Sequence, residues 1–306
     1  MDINPYVGGD ASVDGLANIV KLSSNEGATG ASPRAIEAYK ALAEELHRYP
    51  DGGADTLRQG LAEMYGLDVN RLICGNGSDE IISHLAHAYA GPGDEVLYSE
   101  HGFLMYPLAA MANGATPIKA PETDYTASVD AFLTAVTEQT KLVFVANPNN
   151  PTGAFTEKNE IDKLAEGLKK FPHVAILSDE IYSRQIFDQK EMPTFFNYPD
   201  LYDRLIILDG WSKTYAMTGW RLGWGVWPEK LVDHLFKFCV NNHSCVNAAI
   251  QYGAISALNG PDDSIHSMVK KFILRKNLMV DGLRKIKGII CNAVSYTHLR
   301  AHETEA

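Results

Sequence analysis

The sequence predicts an α/β protein: a mostly parallel, seven-stranded sheet covered by helices on both faces, with a second, smaller domain opening near the C-terminus. Three observations carry that expectation. Seven short apolar runs recur between residues 71 and 227, helix-length stretches lie between most of them, and after residue 228 the pattern turns to helix alone. Strands that are almost continuously apolar and separated by helices are buried on both faces, as a parallel sheet covered by its own crossovers must be.

Taken in order, Ser32-Pro33-Arg34 followed by AIEAYKALAEEL reads as a helix capped by Ser32, with Pro33 at the first helical position, where its missing N–H costs nothing. RLICG (71–75) is a short strand ending in a glycine-rich turn, and the helix after it repeats Ile81, Ile82, Leu85, Ala86 and Tyr89 at helical spacing. EVLYS (95–99), ATPIKA (115–120), KLVFVA (141–146), VAILS (174–178), RLIIL (204–208) and LGWGVW (222–227) are the remaining strands, with IDKLAEGLKK (161–170) among the intervening helices. PEKLVDHLFKFCV and CVNAAIQYGAISAL read as buried helices. Ile265, Met268, Val269, Phe272, Ile273, Val280 and Leu283 then mark a long amphipathic helix that leaves the sheet. Ligands of such sheets sit beyond the carboxyl ends of the strands, so chemistry is to be sought in the loops that follow them.

Composition narrows the function. The 306 residues are 45% hydrophobic, too apolar for a disordered chain, and carry a net charge of −11, which opposes nucleic acid or an anionic membrane as the main partner. No apolar run approaches a membrane span, and MDINPYVGGD lacks the basic and apolar regions of a signal peptide. Cys74, Cys239, Cys245 and Cys291 show no CxxC spacing, which suits a reduced cytoplasm.

Two constellations carry chemistry. Gly75-Asn76-Gly77-Ser78-Asp79-Glu80 joins a strand to a helix, where exposed amides and a helix N-terminus can hold an anion. A dinucleotide fingerprint is opposed by Glu80 in place of its third glycine, and a P-loop by the absence of GK[ST]. A plain capped turn, with Ser78 or Asp79 accepting from the first amides, accounts for the same residues. The second constellation is Asp209-Gly-Trp-Ser212-Lys213-Thr-Tyr-Ala-Met-Thr-Gly219-Trp-Arg221-Leu-Gly223. A lysine at a strand's end is desolvated, its pKa falls, and the neutral amine that Schiff-base chemistry needs becomes available. Arg221 can clamp a phosphate in two-pronged fashion; taken alone, a surface lysine and a structural arginine fit equally. Two further loops place polar side chains at strand ends: Asn147-Pro-Asn-Asn150-Pro151-Thr152-Gly153 and Ser178-Asp179-Glu180-Ile181-Tyr182.

GNGSDE, NPNNPTG, SDEIY and SKTYAMTGWRLG, in that chain order, together resemble the fold-type-I aminotransferases that use pyridoxal 5′-phosphate (PLP). The resemblance runs from about residue 3 to about 291 and implies the PLP-transferase fold type I. It further implies that Lys213 binds the cofactor covalently and later shuttles a proton, and that Asp179 keeps the pyridine nitrogen protonated. By the same likeness Asn150 and Tyr182 hydrogen-bond the ring's phenolic oxygen, and Phe103 stacks on the ring. Arg221, Ser212 and the groups around Gly77, Ser78 and Asp79 hold the phosphate. Tyr49 reaches the phosphate of a neighbouring subunit, which implies a homodimer. In residues, it implies an N-terminal arm and small-domain segment at 1–30, a large PLP-binding domain at 31–258 and the start of a C-terminal small domain at 259–293.

The first half (NPYVGG, KLSSNE, HRYPDG, GNGSDEII) resembles histidinol-phosphate aminotransferases, making Tyr6 and Asn25 substrate-binding candidates, although Asn25-Glu26-Gly27-Ala28 departs from that group's NENP-like loop. From NPTGAF onward, SDEIYSRQIF and SKTYAMTGWRLGW look like aspartate- or aromatic-type enzymes, which implies a divergent enzyme or a join of two related genes at NPNNPTG. The implied reaction moves an amino group between an amino acid, with glutamate/2-oxoglutarate as one pair, and a keto acceptor. The small-molecule partners are amino and keto acids, with no nucleic acid and no membrane. Rival readings are an inert PLP-binding fragment, a non-catalytic sensing domain and a nicotinamide dehydrogenase.

The last segment, VSYTHLRAHETEA (294–306), follows no helix or strand period and resembles a non-native tail; the likeness implies a truncated chain that lacks the family's substrate-binding arginine. His298, Arg300 and His302 have no metal-ligand spacing. His84 and His87 read as a helix-surface pair rather than a metal site. Cys239, His243 and Cys245 read as packing residues, and Trp211 fits either the core or the cofactor's surroundings.

Overall fold

A computed structural model describes residues 24–27, 29–187, 192–289 and 291. Its strands in chain order are β1 (Leu72–Gly75), β2 (Glu95–Ser99), β3 (Thr116–Ala120), the ribbon strands β4 (Glu122–Thr123) and β5 (Thr126–Ala127), β6 (Thr140–Ala146), β7 (Ala175–Asp179), β8 (Leu205–Gly210) and β9 (Gly223–Val226). Seven of them form one sheet in the order β1-β9-β8-β7-β6-β2-β3. Only β9 runs against its neighbours, pairing antiparallel with both β1 and β8, while β8, β7, β6, β2 and β3 pair parallel in succession. The seven expected strands are all present, within a residue or two of their apolar runs. The β4–β5 ribbon, two residues a side, is too short to leave a pattern.

The apolar runs are continuous because both sheet faces are covered. In β8, Leu205 and Ile207 enter one core while Ile206 and Leu208 enter the other. In β6, Val143 and Val145 oppose Leu142 and Phe144 in the same way. The helices are α1 (Pro33–Ala41), α2 (Asp55–Tyr65), α3 (Ser78–Tyr89), α4 (Met105–Ala112), α5 (Val129–Ala135), α6 (Lys158–Leu168), α7 (Trp211–Thr214), α8 (Glu229–His243), α9 (Ala248–Leu258) and α10 (Asp263–Leu283). Buried side chains of α2, α5, α6 and α9 fill the first core; those of α3, α4 and α8 fill the second. Among the described residues no helix is long and apolar enough to cross a membrane.

Ser32 caps α1, its hydroxyl accepting from the Ala35 amide, but the helix stops at Ala41 and tightens into a 3-10 turn at Ala43–Glu45. Only Ala35 of α1 is buried, so no packed face extends the helix through Glu44 and Glu45, whose charges oppose a helix C-terminus. Trp211 belongs to the core, its indole N–H donating to the Ala254 carbonyl at 3.2 Å. The pairing of His84 with His87 as surface residues is corrected: His87 is exposed, but His84 is 4% exposed because its side of α3 packs under α8.

Candidate active site

The carboxyl ends of the parallel strands open into a pocket of about 360 Å³. Asn25, Ser78, Asp79, Phe103, Asn150, Asp179, Tyr182, Ser212, Lys213 and Arg221 all line it. Residues far apart in the chain thus meet in one cleft: Lys213 Nζ lies 3.3 Å from the carbonyl oxygen of Asn25, 188 positions away.

The anion end is built first by the absence of side chains. Sheet register sets Gly75 and Gly210 on either side of Gly223. A Cβ on Gly223 would stand 2.6 Å from the Ser78 amide nitrogen, so only glycine lets β9 approach the start of α3. Gly77 has φ +98°, and a Cβ there would meet the Arg221 guanidinium at 2.5 Å. Gly77 is also the residue before the first turn of α3, and no side chain caps that turn. The capped-turn alternative is therefore not what forms. Asp79 instead accepts from Arg221 Nη2 at 2.9 Å, and Arg221 Nη1 donates to the Thr218 carbonyl at 3.1 Å. Glu80, the residue that opposed a dinucleotide fingerprint, turns back out of the cradle, its Oε2 accepting from the Asn76 amide at 2.6 Å. A helix N-terminus, a guanidinium and a stretch of bare backbone converge where a phosphate would sit.

At the other end, Asp179 closes β7 and is 6% exposed. Its Oδ2 accepts from the Tyr106 hydroxyl at 2.8 Å and its Oδ1 from the Ile181 amide at 3.3 Å. Burial outweighs both bonds and pushes its pKa up to about 6. Lys213, on the single turn α7 after β8, lines the pocket between these ends, 5.7 Å from the centre of the Tyr182 ring. Burial lowers its pKa to about 8, against the pull of Asp79 and Asp179 and with the help of Arg221. Gln185 donates a side-chain hydrogen bond to the Lys213 carbonyl, which fixes the turn that carries the amine. Asn25 Nδ2 donates to the Tyr182 hydroxyl at 2.6 Å. Asn150 is presented by a loop that Asn147 closes through paired bonds to Thr156, 2.9 and 3.1 Å long, and that contains cis peptides at Asn147-Pro148 and Asn150-Pro151.

Not every expected residue joins this cleft. Tyr49 is 96% exposed and lies outside its own chain's pocket. Tyr6 and the segment 294–306 lie outside the described residues. Tyr106 went unnoticed in the sequence. Its ring stacks on Phe144 with centroids 4.5 Å apart and stands edge-on to Phe103 at 5.8 Å, contacts between separate elements that leave no local motif. Gln185 was likewise unmarked.

The residues fit PLP. The glycine-lined cradle offers room that a Cβ would fill, beside a guanidinium for a dianion. A buried carboxylate waits at the far end for a cationic ring nitrogen, and an amine with a depressed pKa lies between them. Fold and pocket together define a PLP-dependent transferase of fold type I. Residues 17–304 match the family described as aminotransferase class I and II, and the chain belongs to it.

Among its relatives, the histidinol-phosphate aminotransferase of Paramagnetospirillum magneticum is 47% identical over 259 residues, 85% of this chain and 70% of that protein. That of Rhodospirillum centenum is 45% identical over 264 residues, 84% and 70%, and that of Dinoroseobacter shibae 46% over 235, 77% and 64%. The chain thus spans about two thirds of the length of these proteins. An alignment over 85% of the chain necessarily crosses residues 147–153, so one relative is similar on both sides of NPNNPTG. Among solved structures, the aspartate aminotransferase of Rhizobium meliloti aligns with a TM-score of 0.85 at 25% identity, over 90% of this chain and 72% of that one. The aromatic aminotransferase of Pyrococcus horikoshii aligns at 0.82 and 27% identity, over 89% and 76%.

Proposed function

We propose that this chain transaminates between glutamate/2-oxoglutarate and the pair histidinol phosphate/imidazole-acetol phosphate, a step of histidine biosynthesis. The observation that carries the reaction type is the placing of Lys213 between the Arg221–Asp79 cradle and buried Asp179 in one pocket. The substrate rests on the histidinol-phosphate aminotransferases at 41–47% identity.

PLP, when bound, supplies the electron sink that lets a proton leave an amino acid's Cα. Everything else falls to the chain. Arg221, Ser212 and the start of α3 at Ser78 and Asp79 hold the phosphate. Asp179, ionised at neutral pH with a pKa of about 6, keeps the ring nitrogen's proton in place, and Tyr106 keeps Asp179 oriented. Tyr182 and Asn150 would hydrogen-bond the ring's phenolic oxygen and Phe103 would cover the ring, all three lining the pocket, while Asn25 holds the Tyr182 hydroxyl. Lys213, neutral in a large fraction of molecules near pH 8, anchors the cofactor and then takes and returns the Cα proton through Nζ. Tyr49, exposed on its own chain, could meet the cofactor phosphate of a second copy as the family resemblance implies, and a homodimer acting in the cytoplasm is part of the same proposal. The division into an arm at 1–30, a large domain at 31–258 and a small-domain segment at 259–293 belongs to the same proposal.

The test loads the protein with PLP and offers histidinol phosphate, glutamate, aspartate and tyrosine separately. Conversion of the cofactor band by histidinol phosphate and glutamate supports the reading. Conversion by aspartate or tyrosine alone supports the aspartate- or aromatic-type alternative. A Lys213-dependent band that no donor converts identifies a PLP-binding chain without turnover.

A further inference from the structure

On the outer side of α3, away from the pocket, α8 brings two residues that are distant in sequence against His84. His84, Cys239 and His243 each offer a ligand atom, and these atoms lie within 4.8 Å of one another. His84 is 4% and Cys239 6% exposed. Both histidines carry a buried ring nitrogen with no hydrogen-bond partner: Nε2 of His84 and Nδ1 of His243. An imidazole nitrogen buried without a partner costs free energy in a purely packed seam, and two beside one thiol call for a common occupant.

We propose that His84, Cys239 and His243 form a binding site for a borderline-soft divalent metal of the zinc class, joining α3 to α8. The ligand set is chemically apt: two imidazoles and a thiol suit zinc, and a water or hydroxide completes a tetrahedron. Ligand atoms around tetrahedral zinc stand about 3.4–3.8 Å apart, so atoms within 4.8 Å of one another close by about 1.4 Å at most. The support around it is also built. His243 Nε2 lies 3.2 Å from Glu80 Oε2, which leaves Nδ1 for the metal in the carboxylate–histidine–metal arrangement common at such sites. Glu80 is itself held by the Asn76 amide. A surface cleft lined by Glu80, Ser83, His84, Phe238 and Asn242 supplies an entry path.

The site stands or falls independently of the transamination reading. The test strips the purified chain with a chelator, dialyses it against Zn²⁺ and counts metal per chain, then substitutes Co²⁺ and records its spectrum. The expected result is one zinc per chain, and a cobalt complex with a thiolate charge-transfer band and the strong visible bands of tetrahedral geometry. Binding is expected to vanish in His84→Asn and Cys239→Ser, to weaken about 10-fold or more in Glu80→Gln, and to persist in His87→Asn, since His87 is exposed on the same helix. Zinc well below one per chain, zinc retained in Cys239→Ser, or cobalt without the thiolate band each overturns the proposal. The cobalt spectrum of the unaltered chain decides the matter even where a variant does not fold.

Discussion

Replacing Asp179 by Asn separates the carboxylate's effect on stability from its effect on the cofactor. Burial lifts its pKa from an ordinary 3.8 to about 6, so the folded chain holds the proton more tightly than the unfolded one. The folded state is thus penalised progressively as pH rises from 4 through 6, and the penalty is relieved as pH falls back. At about 1.4 kcal/mol per pKa unit it reaches about 3 kcal/mol at pH 8 and roughly half of that at pH 5. Asparagine escapes it but gives up the charge in the Tyr106 bond, worth about 1 kcal/mol. The cofactor-free variant should therefore gain about 2 kcal/mol at pH 8, or about 4 °C in Tm, and little or nothing at pH 5. With Asp179 in its proposed role, added PLP should reverse the order, because a cationic ring nitrogen would pair with the carboxylate and not with an amide. Transamination by the variant should fall by about 10²-fold or more. Thermal melts of both proteins at pH 5 and 8, with and without PLP, read all of this. A cofactor-free variant less stable than wild type at pH 8, or a change independent of pH, refutes desolvation as the dominant influence on Asp179.

The other expectations follow from the same pocket. Lys213→Ala should abolish the cofactor absorbance band at saturating PLP, and in wild type the rate should climb as pH approaches about 8 and the amine loses its proton; a band surviving in the variant assigns the covalent link elsewhere. Gly77→Ala places a methyl against the Arg221 guanidinium in a left-handed backbone, so PLP affinity measured by titration should drop by about 10-fold or more with little change in the fold; unchanged affinity removes the cradle from the phosphate's path. Tyr106→Phe deletes a bond that holds the Asp179 pKa down, so the acid limb of the pH–rate profile should move up by about 0.7 unit, the equivalent of a ~1 kcal/mol hydrogen bond; an unmoved limb denies Tyr106 that role.

What the sequence made legible, and what it hid, follows from the range over which each feature is encoded. The strands were readable because each face of β6, β7 and β8 meets a helix layer, which turns alternation into an unbroken apolar run. That run carries no direction, so nothing in it marks β9 as the strand of the seven-stranded sheet that runs against its neighbours. Lys213 and Asp179 are legible as pocket residues because each is consecutive in the chain with the strand end that presents it. Tyr106 is not, since its role depends on α4 laying a phenol against β7, 73 residues downstream.

Glu80 makes the point most sharply. As a string, GNGSDE left it facing a phosphate it would repel, yet the backbone turn at Gly77 sends its carboxylate backwards to the Asn76 amide and His243. The charge that argued against a dinucleotide site is thus spent on the opposite side of the helix, between the cradle and the seam of α3 with α8. There it meets the histidine that sequence spacing could not pair with His84, because 159 residues separate the two and only the packing of α8 brings them together. Local pattern reports what one element does with its own neighbours; the pairing of imidazole with thiol, and of phenol with carboxylate, is written only in how the elements pack.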